Sequence, residues 1–379
     1  MPKTPSTYQS FFSGKRNFWL LFISFTGLML LHSCMDDDAL WKTRPIEIPA
    51  SLEGVFIINE GNIMYGNASL SYYDPTENQI FNDVFFQTNG LPLGDVAQSM
   101  TIRDGLGYIV INNSGRVYVI DMESFVLKGK ITGLVSPRYM HFISDEKAYI
   151  TDLYAKAISI VNPQTLEITG SIDVTNNESI FYQHSAEQMV QLGQYVFVNC
   201  WSFDNSILVI DTETDEWIDT IEVPIQPQSM VTDRFGRLWV LTDGGFAGNP
   251  FGHEEPQLLS INPHTREVER SFRFELADHP LSLAINGSRD TLYFINRHIY
   301  RHAVSSESFP EVFIESPYAI QHLGGYRGLG IDPVSSHVYV GDAIDYVQPG
   351  IVYRFSPEAN PVDTFRVGII PGNFAFRVE

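Results

Sequence analysis

A short hairpin pattern is spelled over and over along this chain, and nothing else in the sequence narrows the choice of fold as much. The clearest copy is Gly115 to Gly133, GRVYVIDMESFVLKGKITG. It has a β-branched and aromatic run from Val117 to Ile120, turn chemistry from Asp121 to Ser124, and a second strand starting over Phe125 to Ile131. Further copies surround Asp74, Asn162, Asp211 and Asn262, and two worn ones surround His302 and Ser356, seven in all. Successive turns lie roughly 40 to 55 residues apart, the spacing of four-stranded propeller blades. Helical repeats do not fit. No copy holds an apolar 3.6-residue period long enough for a helix pair, whereas β-branched residues, aromatics, glycine and proline are plentiful.

The expected fold is therefore all-β, a seven-bladed propeller of four-stranded blades forming one domain over residues 52–379. Gly54 to Phe86 holds three strands of a first blade. Full blades follow at Val96 to Thr132, Arg138 to Val174, Ala186 to Val223, Gln228 to Phe274, Leu281 to Ile314 and Gly328 to Val367. The first blade is a strand short. The tail, PGNFAFRV from Pro371 to Val378, resembles the innermost strands QSMTI, RYMHF, QSMVT and LSLAI, and is expected to complete that blade and close the ring.

The first 33 residues read as a lipoprotein signal peptide: a positive start with Lys3, Lys15 and Arg16, an apolar run from Phe18 to Leu31, then His32-Ser33-Cys34. Cys34 is the expected lipidation site. Residues 34–51, with the acidic Asp36 to Asp38 and prolines 45 and 49, read as a tether. With Cys34 lipidated, Cys200 has no partner in the chain and is expected as a half-buried thiol at a strand end. The formal net charge of −21 argues against nucleic-acid binding, which draws on Lys and Arg.

Function in a propeller is expected on the face that carries the blade-to-blade loops and the loops between second and third strands. Here those loops hold many aromatics (Tyr65, Tyr154, Trp201, Phe203, Phe246, Phe251, Tyr346) interspersed with amides (Asn62, Asn113, Asn199, Gln98, Gln228), which suits a large neutral ligand. No phosphate loop, HExxH or nucleophile elbow occurs. His141, His184, His253, His279 and His322 are isolated in sequence, so neither a metal centre nor an enzyme is expected.

The NEG of Asn59 to Gly61, the FVNCWS of Phe197 to Ser202, the turn series and the leader together resemble the YncE-like seven-bladed propeller lipoproteins of gut Bacteroidetes, and among them the cobalamin-binding BtuG family. The acidic run behind Cys34 resembles the signal that sends such lipoproteins to the outer face of the outer membrane. The resemblance implies a surface lipoprotein that captures cobalamin and delivers it to a TonB-dependent transporter of the BtuB type. A glycan-binding protein, a propeller scaffold and a metal-dependent lyase are the alternatives. On the loop map, Tyr65, Tyr154, Trp201, Phe246 and Tyr346 are the candidate apolar contacts, and Asn62, Asn113, Arg138, Gln228 and Arg327 the polar ones.

Overall fold

A computed structural model describes residues 53–319 and 325–378. Every described residue belongs to one unit, Arg44–Glu379. The segments expected to be a signal peptide and a tether, with Cys34 between them, lie outside the described residues.

Seven four-stranded antiparallel sheets follow one another, as the repeats require. Blade 2 is Ala97–Arg103, Leu106–Ile111, Arg116–Asp121 and Leu127–Thr132, innermost strand first. The other innermost strands are Pro137–Phe142, Ala186–Leu192, Pro227–Thr232, Leu281–Ile285 and Tyr326–Ile331 for blades 3 to 7. Blade 1 takes Gly54–Asn59, Ser69–Asp74 and Gln79–Phe81 from the start of the fold, and its innermost strand, Pro371–Arg377, from the end.

The recurring Asp or Asn is explained by its side chain. Asp74 Oδ1 accepts the amides of Thr76 and Glu77, and Asp121 Oδ1 those of Glu123 and Ser124. Asn162 and Asn262 repeat the bond to residues two and three further on. Four residues after each turn residue the backbone enters the left-handed region, at Asn78, Phe125, Leu166, Asp215 and Arg266. The third and fourth strands of blades 2 to 5 then pair with a bulge close by. The worn copy at His302 lacks this chemistry. His302 occupies an inward position against Phe272 and Trp239, and burial pushes its pKa down to about 4.

Apolar side chains fill the spaces between neighbouring blades. Between blades 1 and 2 Phe56, Tyr72 and Phe125 pack ring on ring, with centroids 5.0 to 5.4 Å apart. Val84 to Phe86, read from sequence as blade, form instead the start of a short helix, Val84–Asn89. It drops Val84 and Phe85 into that cluster, and Asn89 ties it to blade 2 by donating to the Phe125 carbonyl and accepting from the Leu127 amide. Cys200 is fully buried rather than half-buried.

The ring is stitched along its inner wall by bonds that run from blade to blade. Asn373 donates to the Gln98 carbonyl, Ser99 to Arg138, Thr151 to Glu187, and Ser282 to Arg327. The amides of Met230 and Ser282 donate to the side-chain oxygens of Gln188 and Gln228. Between blades 7 and 1 the backbones touch directly: a Cβ on Gly341 would stand 2.1 Å from the Pro371 carbonyl oxygen, so only glycine fits there.

Candidate functional site

Each innermost strand slips register with its neighbour near the strand's start, and the slips fall at Gln98, Arg138-Tyr139, Glu187-Gln188, Gln228, Ser282-Leu283, Arg327 and Gly372. A bulge re-aims a side chain without ending the strand. Seven bulges at one level therefore collect polar side chains in the axial channel that strict alternation would have scattered. Tyr139 lines the channel, taking weak hydrogen bonds from the amide nitrogens of Gln98 (3.4 Å) and Gln188 (3.5 Å) on the two neighbouring blades. It lines both a lower cavity of about 620 Å³, shared with Met140, His141, Met189 and Met230, and an upper funnel of about 410 Å³.

The funnel's floor carries two ion pairs. Arg138 Nε lies 2.8 Å from Glu187 Oε2, with 13% and 4% of the two side chains exposed. Arg327 Nε lies 3.4 Å from Glu60 Oε1. Burial pushes the Glu187 carboxyl up while Arg138 pulls it down, with a net rise. Its other oxygen, Oε1, is buried and has no partner among the described residues.

The funnel's wall is aromatic on the side of blades 3 to 5. Tyr154, Phe181, Phe203 and Phe246 run edge to face across the loops, at centroid spacings of 5.4, 5.6 and 6.3 Å, and Trp201 lines the cavity beside the last two. Tyr154 stays 52% and Phe246 48% exposed, so the rings brace one another while keeping a surface open. Trp201 Nε1 donates to Asp243 Oδ2 at 2.6 Å, and the Gly245 amide donates to Oδ1 at 2.9 Å. Burial nevertheless pushes Asp243 up to about 6.

That shift has a sign that can be checked. A carboxyl whose folded pKa is raised favours the fold most below its unfolded pKa and loses that contribution as pH rises through the folded value. For Asp243 the window runs from about 4 to about 6, and the loss amounts to about 3 kcal/mol. Because Trp201 donates to this carboxylate, we expect tryptophan emission to titrate with a midpoint near pH 6, and the transition to vanish in Asp243→Asn. An unchanged curve in the variant would show that Asp243 is not the titrating group.

Of the ten residues selected from sequence, five line the funnel: Arg138, Trp201, Gln228, Phe246 and Arg327. Tyr154 stands at the outer end of the aromatic arc. Asn62, Tyr65, Asn113 and Tyr346 lie on the loops of blades 1, 2 and 7 and do not line it. There Asn62 donates to the Tyr346 carbonyl at 2.6 Å, Asn113 donates to Asp95 at 2.5 Å, and Tyr65 projects 79% exposed. Sequence reasoning missed Tyr139, Glu187 and Asp243. The signal for the first two was the pair of polar or amphipathic residues that precedes the apolar position of an innermost strand, as in RYM (138–140) and EQM (187–189); Asp243 had none.

His141 bonds to Gln191 on the lower side, His184 to buried Asp204 at 2.7 Å, and His279 lines the funnel, so these histidines do not converge. Among the described residues the group of donors close enough to hold a metal ion is His184, Cys200 and Asp204. Burial pushes the Cys200 thiol well up, toward its neutral form.

Solved structures share this architecture. A quinonprotein alcohol dehydrogenase-like protein from Bacteroides thetaiotaomicron aligns with TM-score 0.65 at 14% identity, over 86% of this chain and 78% of that one. The periplasmic gluconolactonase of Pseudomonas aeruginosa aligns with TM-score 0.62 at 10% identity, over 86% and 98%. Hydrazine synthase of Kuenenia stuttgartiensis aligns with TM-score 0.59 at 14% identity, over 73% and 88%. The expectation that this chain is no enzyme, which rested on missing catalytic motifs and isolated histidines, is overturned: proteins of this fold carry enzyme names, gluconolactonases among them. At such identity the likeness shows the fold and assigns no reaction. No curated protein matches the sequence. A family model described as a domain of unknown function, DUF5074, matches residues 53–359. The chain belongs to the DUF5074 family.

Proposed function

We propose that the upper face captures a large, amide-edged organic ligand of the corrinoid class at the outer-membrane surface and passes it to a TonB-dependent transporter of the BtuB type. One observation carries this reading: an aromatic arc from Tyr154 to Phe246, still open to solvent, stands beside a floor of guanidinium, carboxylate and amide groups held by a closed ring. A flat macrocycle larger than the 410 Å³ funnel rests on the arc and the rim, and its edge groups reach the floor. The rigid ring leaves little to order on binding, which favours high affinity. The expected signal peptide of residues 1–33, lipidation at Cys34 and the tether of residues 34–51 belong to the same reading, in which the domain is displayed on the outer face of the cell.

Calorimetric titration of Arg44–Glu379 with cyanocobalamin tests the ligand. We expect one-to-one binding with Kd below about 1 μM, and no heat at tens of micromolar would remove the corrinoid. For the anchor, the expected result is incorporation of labelled fatty acid that Cys34→Ala abolishes.

A second reading is favoured by Asp243, a carboxyl pushed up to about 6 in the wall of the same funnel, where it suits acid–base chemistry near neutral pH. Hydrolysis of glucono-δ-lactone above the spontaneous rate, lost in Asp243→Asn, would establish it; a rate equal to that without protein would dismiss it for this substrate.

A further inference from the structure

The floor of the funnel has a hydrogen-bonding order of its own. Donors and acceptors are interspersed around it, blade by blade. Among the described residues, the terminal nitrogens of Arg138 on blade 3 and Arg327 on blade 7 have no partner, and neither does Nε2 of Gln228 on blade 5. The open acceptors are Oε1 of Gln98 on blade 2 and the buried Oε1 of Glu187 on blade 4. All five residues line the funnel.

The charges are already matched before any ligand arrives. Arg138 is held by Glu187 at 2.8 Å and Arg327 by Glu60 at 3.4 Å. A carboxylate entering the floor would reach a guanidinium only by approaching that guanidinium's own carboxylate, and an ammonium would meet the reverse. Like charges brought together in a half-dry site repel strongly. A neutral group that both donates and accepts meets partners in either direction and leaves no buried charge uncompensated. The unpartnered Glu187 oxygen sharpens the point, since a buried acceptor left unmade is costly and an incoming N–H or O–H relieves it.

We infer that the floor is a subsite for a neutral donor–acceptor group, a carboxamide or a hydroxyl, and that it selects against the corresponding carboxylate. This deepens the capture reading and rests on it for the face, not for the ligand's identity. The two sources of such groups are separable with matched pairs of probes on the full chain: cyanocobalamin against its monocarboxylic acids, in which one peripheral carboxamide has become a carboxylate, and maltohexaose against the same oligosaccharide oxidised to uronic acids.

In whichever pair binds, we expect at least one acid form to bind about tenfold or more weakly than its neutral parent. We expect Gln228→Glu, which keeps the oxygen that takes the Ser282 amide but replaces the free donor with an acceptor, to weaken the neutral parent by a similar factor. Acid forms that all bind as tightly as the parent, or more tightly, would overturn the inference, as would silence from all the probes. A silent corrinoid pair beside a discriminating sugar pair would sink the corrinoid reading and uphold this one.

Discussion

Deleting residues 371–379 is expected to leave a chain that does not fold. Pro371–Arg377 is the innermost strand of blade 1 and pairs along the whole of Gly54–Asn59, from Gly54 opposite Arg377 to Asn59 opposite Pro371. Two more backbone bonds extend the seam, from the amides of Glu60 and Gly61 to the carbonyls of Ile370 and Ile369. Phe374 is buried among Val55, Ile57, Tyr73 and Tyr339, and Ala375 packs in the cluster between blades 1 and 2. Removing one such aromatic costs about 3 to 5 kcal/mol. Removing the whole strand also opens the ring and bares the edge of Gly54–Asn59, against a total stability of about 5 to 15 kcal/mol. Circular dichroism should show no cooperative melt, and the product should aggregate. A truncated chain that melted within a few degrees of the full one would refute closure by the tail.

The second large effect is expected at the funnel floor. Arg138→Ala removes the partner of a carboxylate that is 4% exposed, and an orphaned buried charge destabilises by about 3 to 5 kcal/mol. The pH dependence identifies the cause. Without Arg138, desolvation alone acts on Glu187, so its folded pKa rises further above the unfolded value and the penalty grows as pH rises. The deficit should therefore be largest near pH 8 and small near pH 4, where the carboxyl is protonated in both states. Replacing both members by apolar side chains of similar size should recover most of the loss, and chemical denaturation of the three variants at both pH values reads this directly. A deficit independent of pH would assign the loss to packing of the arginine stem.

Much of this molecule is legible in its sequence because the repeat has a local cause. An Asp or Asn whose side chain caps the amides two and three residues on, with a left-handed residue four positions on, is written into five residues, and so it can be read at Asp74, Asp121, Asn162 and Asn262 without knowing the rest. The helix Val84–Asn89 was not legible, because Val84 and Phe85 are apolar for the sake of blade 2, a neighbour the local pattern does not mention.

The candidate site divides in the same way. The aromatics at Trp201 and Phe246 announce themselves by standing in loops. The pairing of Arg138 with Glu187 joins innermost strands that only the closed ring brings side by side, 49 positions apart. Asp243 looks like any turn aspartate until Trp201 of the preceding blade lies over it.

The measurement that reaches the central claim most directly is a comparison of cyanocobalamin binding to the unaltered protein, to Trp201→Ala and to Phe235→Ala. Phe235 is an exposed aromatic on the loop between the first two strands of blade 5, on the opposite face. Truncating a central aromatic contact costs about 2 to 4 kcal/mol, so we expect Trp201→Ala to weaken binding about 30-fold to 1,000-fold while Phe235→Ala leaves it unchanged. Equal affinities for all three proteins would contradict a ligand site on the upper face.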